Sequence, residues 1–218
     1  QWTLRFCDSL DAQRLDITWQ LPVGTRAEAL DAEVLQRLYD TGCRNVTYAP
    51  ESGSKRMLEI FDKRVDLDHI LRSLRAAHRI GLRTHVNVII GHPDEKWRDV
   101  LQSALLLVKA AVAGADTASA IMFGAYPGSA DFRRLLDEGA LAVDDEFLYI
   151  ALSRGSSAHR SYNPRMSSRQ LRSAQLAIMM TFYGLAHLLH PSRVLERFRA
   201  QRGGQELTHF DQYVRIKR

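Results

Sequence analysis

The sequence predicts an α/β chain on a parallel sheet: a partial (β/α) barrel fragment of about four to five βα units, followed by a helical, basic C-terminal extension. Three observations point there. Segments rich in β-branched and aromatic residues alternate with stretches of helical periodicity. Each passage from strand to helix runs through a short turn of Gly, Ser, Pro and charged residues. The alternation ends near Ser153, where the charge balance also changes.

In chain order, Asp16-Ile17-Thr18-Trp19-Gln20-Leu21 is the first strand candidate. A helix is expected from Glu28 to Tyr39, with Leu30, Val34, Leu35 and Leu38 on one face and Gly42 closing it. Val46 to Tyr48 reads as the second strand and runs into Ala49-Pro50-Glu51-Ser52-Gly53-Ser54. There Gly53 is expected to take a positive φ. Ser52 and Ser54 are expected to cap the helix that begins at Lys55, leaving free backbone N–H groups at its mouth. The Glu51 carboxylate then sits at a strand's C-terminal end. Leu67, Ile70, Leu71, Leu74 and Ala77 mark the next helix, to Gly81. Arg83 to Ile90 is the third strand, and its run Val86-Asn87-Val88-Ile89-Ile90 suits a strand buried on both faces. After the turn Gly91-His92-Pro93-Asp94-Glu95, a long helix carries Trp97, Val100, Leu101, Leu105 and Val108 to Gly114. Thr117 to Phe123 is the fourth strand, before the turn Gly124 to Ser129. Asp144-Asp145-Glu146 suits a helix N-terminus, Ser153 to Asn163 reads as loop, and Ser167 to Leu189 as one helix that Pro191 ends. A shorter basic helix is expected around Val194, Leu195 and Phe198.

At 218 residues and 45% hydrophobic, the chain is long enough for one substantial core. No apolar run approaches the roughly 20 residues that span a bilayer, and no signal-peptide layout opens the chain, so a cytoplasmic location is expected. Cys7 and Cys43 are the only cysteines, and they read as buried free thiols. Residues 1–152 hold 18 Lys and Arg against 22 Asp and Glu, whereas residues 153–218 hold 12 against 3, which sets the expected division into barrel and extension. The basic extension reads either as a solvated surface that offsets the acidic barrel, or as a surface for an acidic substrate, another domain or an anionic membrane. Nucleic acid is disfavoured, since few aromatics interleave with the arginines.

These residues carry a resemblance. The succession Trp19…Gly24-Thr25-Arg26, Gly42-Cys43…Tyr48-Ala49-Pro50-Glu51-Ser52-Gly53-Ser54, Asn87-Val88-Ile89-Ile90-Gly91-His92-Pro93…Glu95 and Phe123…Tyr126-Pro127-Gly128-Ser129 resembles the radical S-adenosylmethionine superfamily, most of all its cobalamin-binding branch. The resemblance implies a partial barrel of six βα units that binds S-adenosylmethionine across the C-terminal strand ends, beside a [4Fe-4S] cluster held by a Cys-x3-Cys-x2-Cys loop. Carried over by position, Glu51, Ser52, Gly53 and Ser54 fall at the methionine or ribose part of the cofactor, and Arg26 at its carboxylate or the substrate. Ile89, Gly91 and Glu95 match the motif that lines the adenine, with Asn87 on the same strand, and Tyr126 and Pro127 match the turn after the sixth strand. Adenine asks for an apolar wall, ribose hydroxyls for an acceptor, and a carboxylate for a cation or N–H groups.

The sequence departs from that pattern in lacking the Cys-x3-Cys-x2-Cys loop and the strand expected before Trp2. The chain therefore reads as the back two-thirds of a barrel plus an extension. The cluster, the cobalamin and the missing N-terminal part are expected in an intact parent protein, which acts on a small-molecule substrate. The first-strand side is expected to be an exposed apolar edge, or to be covered by a partner or the C-terminal helix. Two function classes follow. One is the cofactor- and substrate-binding portion of a cobalamin-dependent radical enzyme, a methyltransferase or a related C–C bond-forming or rearranging enzyme; the other is a non-catalytic half-barrel module. No metal ligands are assigned. His187 and His190, three apart on a helix, read as surface or core histidines; Asn87 reads equally as ligand-facing or as a satisfied core amide, and His92 as an adenine neighbour or a filler of its turn.

Overall fold

A computed structural model describes residues 2–25, 30–145, 147–148 and 160–192. It contains β1 (Trp19–Thr25), β2 (Cys43–Glu51), β3 (Arg83–Ile90) and β4 (Thr117–Met122), interleaved with α1 (Trp2–Ala12), α2 (Ala32–Asp40), α3 (Lys55–Ile60), α4 (Leu67–Arg79), α5 (Trp97–Val112), α6 (Ala130–Asp137) and, last, α7 (Ser168–Leu189). The four strands are parallel and lie in the order β1-β2-β3-β4. This is the α/β, open partial-barrel arrangement that the strand and helix alternation predicts.

Local chemistry explains most boundaries. Asp31 caps α2 by accepting from the Val34 N–H at 2.8 Å, Asp66 caps α4 through the Asp68 and His69 N–H groups, and Ser167 caps α7 in a capping box with Gln170. The helix expected from Glu28 is seen to begin at Ala32, with residues 26–29 outside the described ones. The shorter helix expected near Val194 also lies outside them.

Two strand expectations are corrected. β1 starts at Trp19, three residues later than expected, and continues through Pro22 to Thr25. Proline has no N–H to give a ladder, but β1 is an edge strand, and its register against β2 shifts between Leu21 and Thr25. β3 is not buried on both faces: its residues alternate half-buried and buried. Val86, Val88 and Ile90 join Val46, Tyr48, Ala118, Ala120 and Met122 in the core beneath α2, α4 and α5. Arg83, His85, Asn87 and Ile89 face the opposite side and are half-buried. The buried Tyr48 hydroxyl meets Ser73 Oγ at 2.7 Å, and Ser73 donates to the Leu30 carbonyl at 2.6 Å.

The two sheet edges differ. At β4, α7 closes the edge: Gln175 donates to the Ala120 carbonyl at 2.6 Å and Tyr183 to the Ala118 carbonyl at 3.3 Å. Leu171, Ile178, Phe182 and Ala186 of α7 are buried in the same core as the sheet. Full burial of a side chain such as Phe182 contributes about 1.5–3 kcal/mol. The β1 side is the open one: Pro22, Val23 and Gly24 are exposed, and no described strand pairs beyond them. The C-terminal helix therefore covers the edge opposite the first-strand side.

Candidate functional site

In a parallel sheet of this kind, ligands gather at the C-terminal strand ends. Glu51 ends β2 there and pairs with Val88 of β3; Gly91 follows the end of β3, and Tyr126 and Pro127 lie in the turn after β4. The Glu51 backbone is left-handed, with φ 69°. Its Oε1 accepts from Lys63 Nζ at 2.6 Å, and both side chains are partly exposed, 25% for Glu51 and 33% for Lys63. Beyond Lys63 lies a hollow of about 420 Å³, bounded by α3 and the segment from Asp62 to Val65.

The turn after Glu51 is pinned to α5. Ser52 is fully buried, with its hydroxyl 3.1 Å from Ser103 Oγ, and the Gly53 N–H donates to Ser103 Oγ at 3.0 Å. The Ser54 N–H donates to Ser52 Oγ at 3.1 Å, while Ser54 Oγ donates to Asp99 at 2.6 Å and caps α3. The N–H groups of Gly53, Ser54 and Met57 are thus taken up internally. Positive φ also falls on Glu51 and not on Gly53. Gly53 is needed for close approach instead, since a Cβ there would stand 2.2 Å from the Gln102 carbonyl oxygen. Asp99 anchors the network: fully buried, it accepts from Arg56 at 2.5 Å, from Ser54 and from the Lys96 N–H at 2.9 Å. Burial pushes its carboxyl up, but the Arg56 and Ser54 hydrogen bonds outweigh that and hold it below the usual range.

The Gly91 turn closes on itself. The Gly91 N–H donates to the buried Glu95 carboxyl, and Asn163 Nδ2 donates to the His92 carbonyl at 2.6 Å and the Glu95 carbonyl at 2.9 Å. Burial is the largest influence on the Glu95 carboxyl, pushing it up to about 7. Gly91 has φ 86°, and a Cβ would point at Leu171 of α7, 2.6 Å from its Cδ1. His92 fills its turn as a buried ring between Phe61 and Phe123, at 5.1 and 4.8 Å. The Asp94 N–H donates to its Nδ1, which assigns the proton to Nε2, 3.1 Å from Asp131 Oδ2.

On the half-buried face of β3, strand register sets His85 beside Thr117, Asn87 beside Ser119, and Ile89 beside Ile121. Asn87 Oδ1 is 2.7 Å from His85 Nε2, whose other ring nitrogen is 2.7 Å from Thr117 Oγ1. Asn87 is therefore both half-exposed on the open face and hydrogen-bonded. Ile89 is half-buried there, and Tyr126 is 68% exposed. Arg26 lies outside the described residues. Lys63, Asp99 and Asn163 escaped sequence reasoning. Only a Lys twelve residues after a strand-end Glu could have hinted at the first, and nothing local marks the other two.

Cys7 and Cys43 are both fully buried, and burial pushes the Cys43 thiol up to about 11. Neither suits thiolate ligation, and among the described residues no group of three or more His, Cys, Asp or Glu could hold a metal ion. His190 Nε2 is 3.1 Å from the Ala111 carbonyl and its ring packs on His78, while His187 packs on Tyr183. No described helix is long and apolar enough to cross a membrane.

Comparison with known proteins agrees with the motif reading. Residues 13–107 match the radical SAM superfamily. An uncharacterized methyltransferase of Pyrococcus horikoshii is 24% identical over 182 residues, covering 84% of this chain and 36% of that protein. The cytidylyl-2-hydroxyethylphosphonate methyltransferase of Streptomyces wedmorensis is 32% identical over 82 residues, covering 37% of this chain and 15% of that protein. Among solved structures, the radical S-adenosylmethionine methyltransferase TsrM of Kitasatospora setae, with cobalamin and a [4Fe-4S] cluster bound, has a TM-score of 0.48 at 16% identity, covering 82% of this chain and 32% of that one. This chain spans about a third of the length of the first of these relatives.

Proposed function

We propose, on the premise that residues 13–107 carry a radical SAM superfamily match, that this chain forms the S-adenosylmethionine- and substrate-binding portion of a cobalamin-dependent radical methyltransferase. Two methyltransferase relatives support the reaction class. The single observation that carries the reading is Glu51: a carboxylate on a left-handed backbone at the C-terminal edge of β2, with Oε1 held by Lys63 and no partner for Oε2 among the described residues. Such an oxygen suits ribose hydroxyls or an ammonium, and the half-buried Ile89 on the neighbouring strand suits an apolar ring.

S-adenosylmethionine, when bound, supplies a methyl group or, on reduction, a deoxyadenosyl radical. The residues of this chain bind and orient. Glu51 accepts hydrogen bonds, the Gly91 turn forms one wall, and the Asp99 network fixes the turn from Ser52 to Ser54. The described residues do not fit an iron-sulfur cluster, and no step is assigned to one here.

The test is calorimetric titration of S-adenosylmethionine into the full-length, cluster-loaded protein. Glu51→Ala removes a charge-assisted contact worth about 1.5–3 kcal/mol, so affinity is expected to fall roughly ten- to hundredfold. His187→Ala is expected to leave it unchanged. Unaltered affinity in Glu51→Ala together with loss in His187→Ala places the site elsewhere. Binding without any turnover of candidate substrates favours the non-catalytic module.

A further inference from the structure

We infer that Lys63 is a positioning residue for Glu51. Its ammonium fixes one carboxylate oxygen so that the other is presented at the sheet edge to hydrogen-bond donors of the bound cofactor, ribose hydroxyls or an ammonium. This deepens the reading above and rests on it.

The argument begins with backbone geometry. Among the described residues only Arg14, Glu51 and Asp62 are non-glycine residues with positive φ. Two of these three bracket this ion pair: Glu51 at 69° carries the carboxylate, and Asp62 at 47° directly precedes the lysine. Left-handed backbone is unfavourable for residues with a Cβ and persists where surrounding contacts over-determine it.

Those contacts are visible. Ser54 caps the start of α3, and the short helix ends when the Asp62 N–H donates to the Glu59 carbonyl at 3.1 Å and the Lys63 N–H to the Leu58 carbonyl at 2.8 Å. The second bond spans five residues and turns the chain sharply back, a Schellman-type ending with Asp62 in the left-handed position. That reversal brings Lys63 Nζ to within 2.6 Å of Glu51 Oε1. The partner's own turn is held from behind by Ser103 and Asp99.

An ion pair between two partly exposed groups adds little to stability. Two unfavourable backbone conformations are therefore a poor exchange for the pair's own energy. They make sense if the product is a fixed carboxylate direction, because one oxygen is committed and the rotation that would turn the other away is blocked. A carboxylate held in this way loses less conformational freedom when a ligand arrives.

The experiment measures S-adenosylmethionine affinity by calorimetry in the full-length, cluster-loaded protein and four variants: Lys63→Met, Lys63→Gln, Lys63→Arg and Glu51→Gln, with Lys63→Met also made in the Glu51→Gln background. Lys63→Met and Lys63→Gln are each expected to weaken binding about three- to tenfold, and Lys63→Arg to stay within about twofold of the original. In the Glu51→Gln background, Lys63→Met is expected to add nothing, because the group it orients has already been altered. A general structural role would instead weaken binding equally in both backgrounds, and that result overturns the inference. Unchanged affinity in both neutral Lys63 variants, with loss in Glu51→Gln, also overturns it while leaving the Glu51 reading in place. Absence of binding by the original protein, or no loss in Glu51→Gln, overturns both.

Discussion

Asp99→Asn tests whether the strand-end turn is held from α5. The carboxylate is fully buried, and both oxygens are used: Oδ2 by Arg56 at 2.5 Å and the Lys96 N–H at 2.9 Å, Oδ1 by Ser54 at 2.6 Å. An amide replaces one acceptor by a donor; the Ser54 hydroxyl can turn and accept from it, but the charge that faces Arg56 in a dry site is lost. Breaking a buried ion pair from one side costs about 3–5 kcal/mol. Arg56 remains 31% exposed and can turn to water, which brings the expectation down to about 2–3 kcal/mol. Urea unfolding at pH 7 is the assay: the midpoint is expected to fall with an unchanged slope. Since Asp99 titrates below the usual carboxylate range in the folded protein, its contribution is complete above the unfolded-state value, near 4, and is lost as pH falls through the folded value. The gap between the two proteins is therefore expected to close only below about pH 4. Amide exchange at Gly53 and Ser54 is expected to accelerate. A stability change under about 0.5 kcal/mol at pH 7, with those amides still protected, would refute the reasoning.

The other expectations concern the Gly91 turn. Burial raises the Glu95 carboxyl to about 7, so the folded state holds this proton more tightly than the unfolded one, and stability from this group is full near pH 4.5 and lost as pH rises through 7. The loss is on the order of 3 kcal/mol, and Glu95→Gln is expected to flatten that part of the profile in urea unfolding at pH 5 and pH 8; an unchanged slope in the variant rules it out. Gly91→Ala is expected to cost about 2 kcal/mol, from the left-handed backbone and from the 2.6 Å approach to Leu171. Trimming Leu171 to Ala in the same chain is expected to relieve the steric share alone, which a thermodynamic cycle of the two substitutions reads directly.

Much of the fold was legible because its determinants are local. Periodicity along α2, α4, α5 and α7, with Asp31, Asp66 and Ser167 ahead of three of them, marks helices whatever they pack against. Alternation of strand and helix gives a parallel sheet, and the motif order gives the strand order. The misreadings share a cause, since each depended on a contact between distant residues. Gly53 looked like a left-handed glycine, but its small size serves the approach to Gln102, and the left-handed conformation fell on Glu51. The first strand was expected to stop at Leu21, but β1 runs on through Pro22, because an edge position tolerates a residue that cannot donate. The apolar run of β3 hid the half-open face, whose polar groups meet the neighbouring strand, His85 lying 2.7 Å from Thr117 and 3.1 Å from Ser119. Among the candidate site residues, Glu51 could be singled out from its turn. Its fixing by Lys63 and the clamp of Asn163 on the Gly91 turn arise from chain reversals that no short pattern encodes.

The asymmetry of the sheet edges limits how copies of this chain can join through their backbones. On the β4 side, Gln175 and Tyr183 occupy the outward carbonyls of Ala120 and Ala118, so an incoming strand finds its acceptors already engaged. Among the described residues only the β1 side has open pairing groups, and Pro22 removes one donor from it. A building block with one adhesive edge and one blocked edge can pair once and then has nothing left to offer. Edge-to-edge pairing through the described strands is therefore confined to the β1 side, whereas a sheet with both edges open could propagate into a fibre.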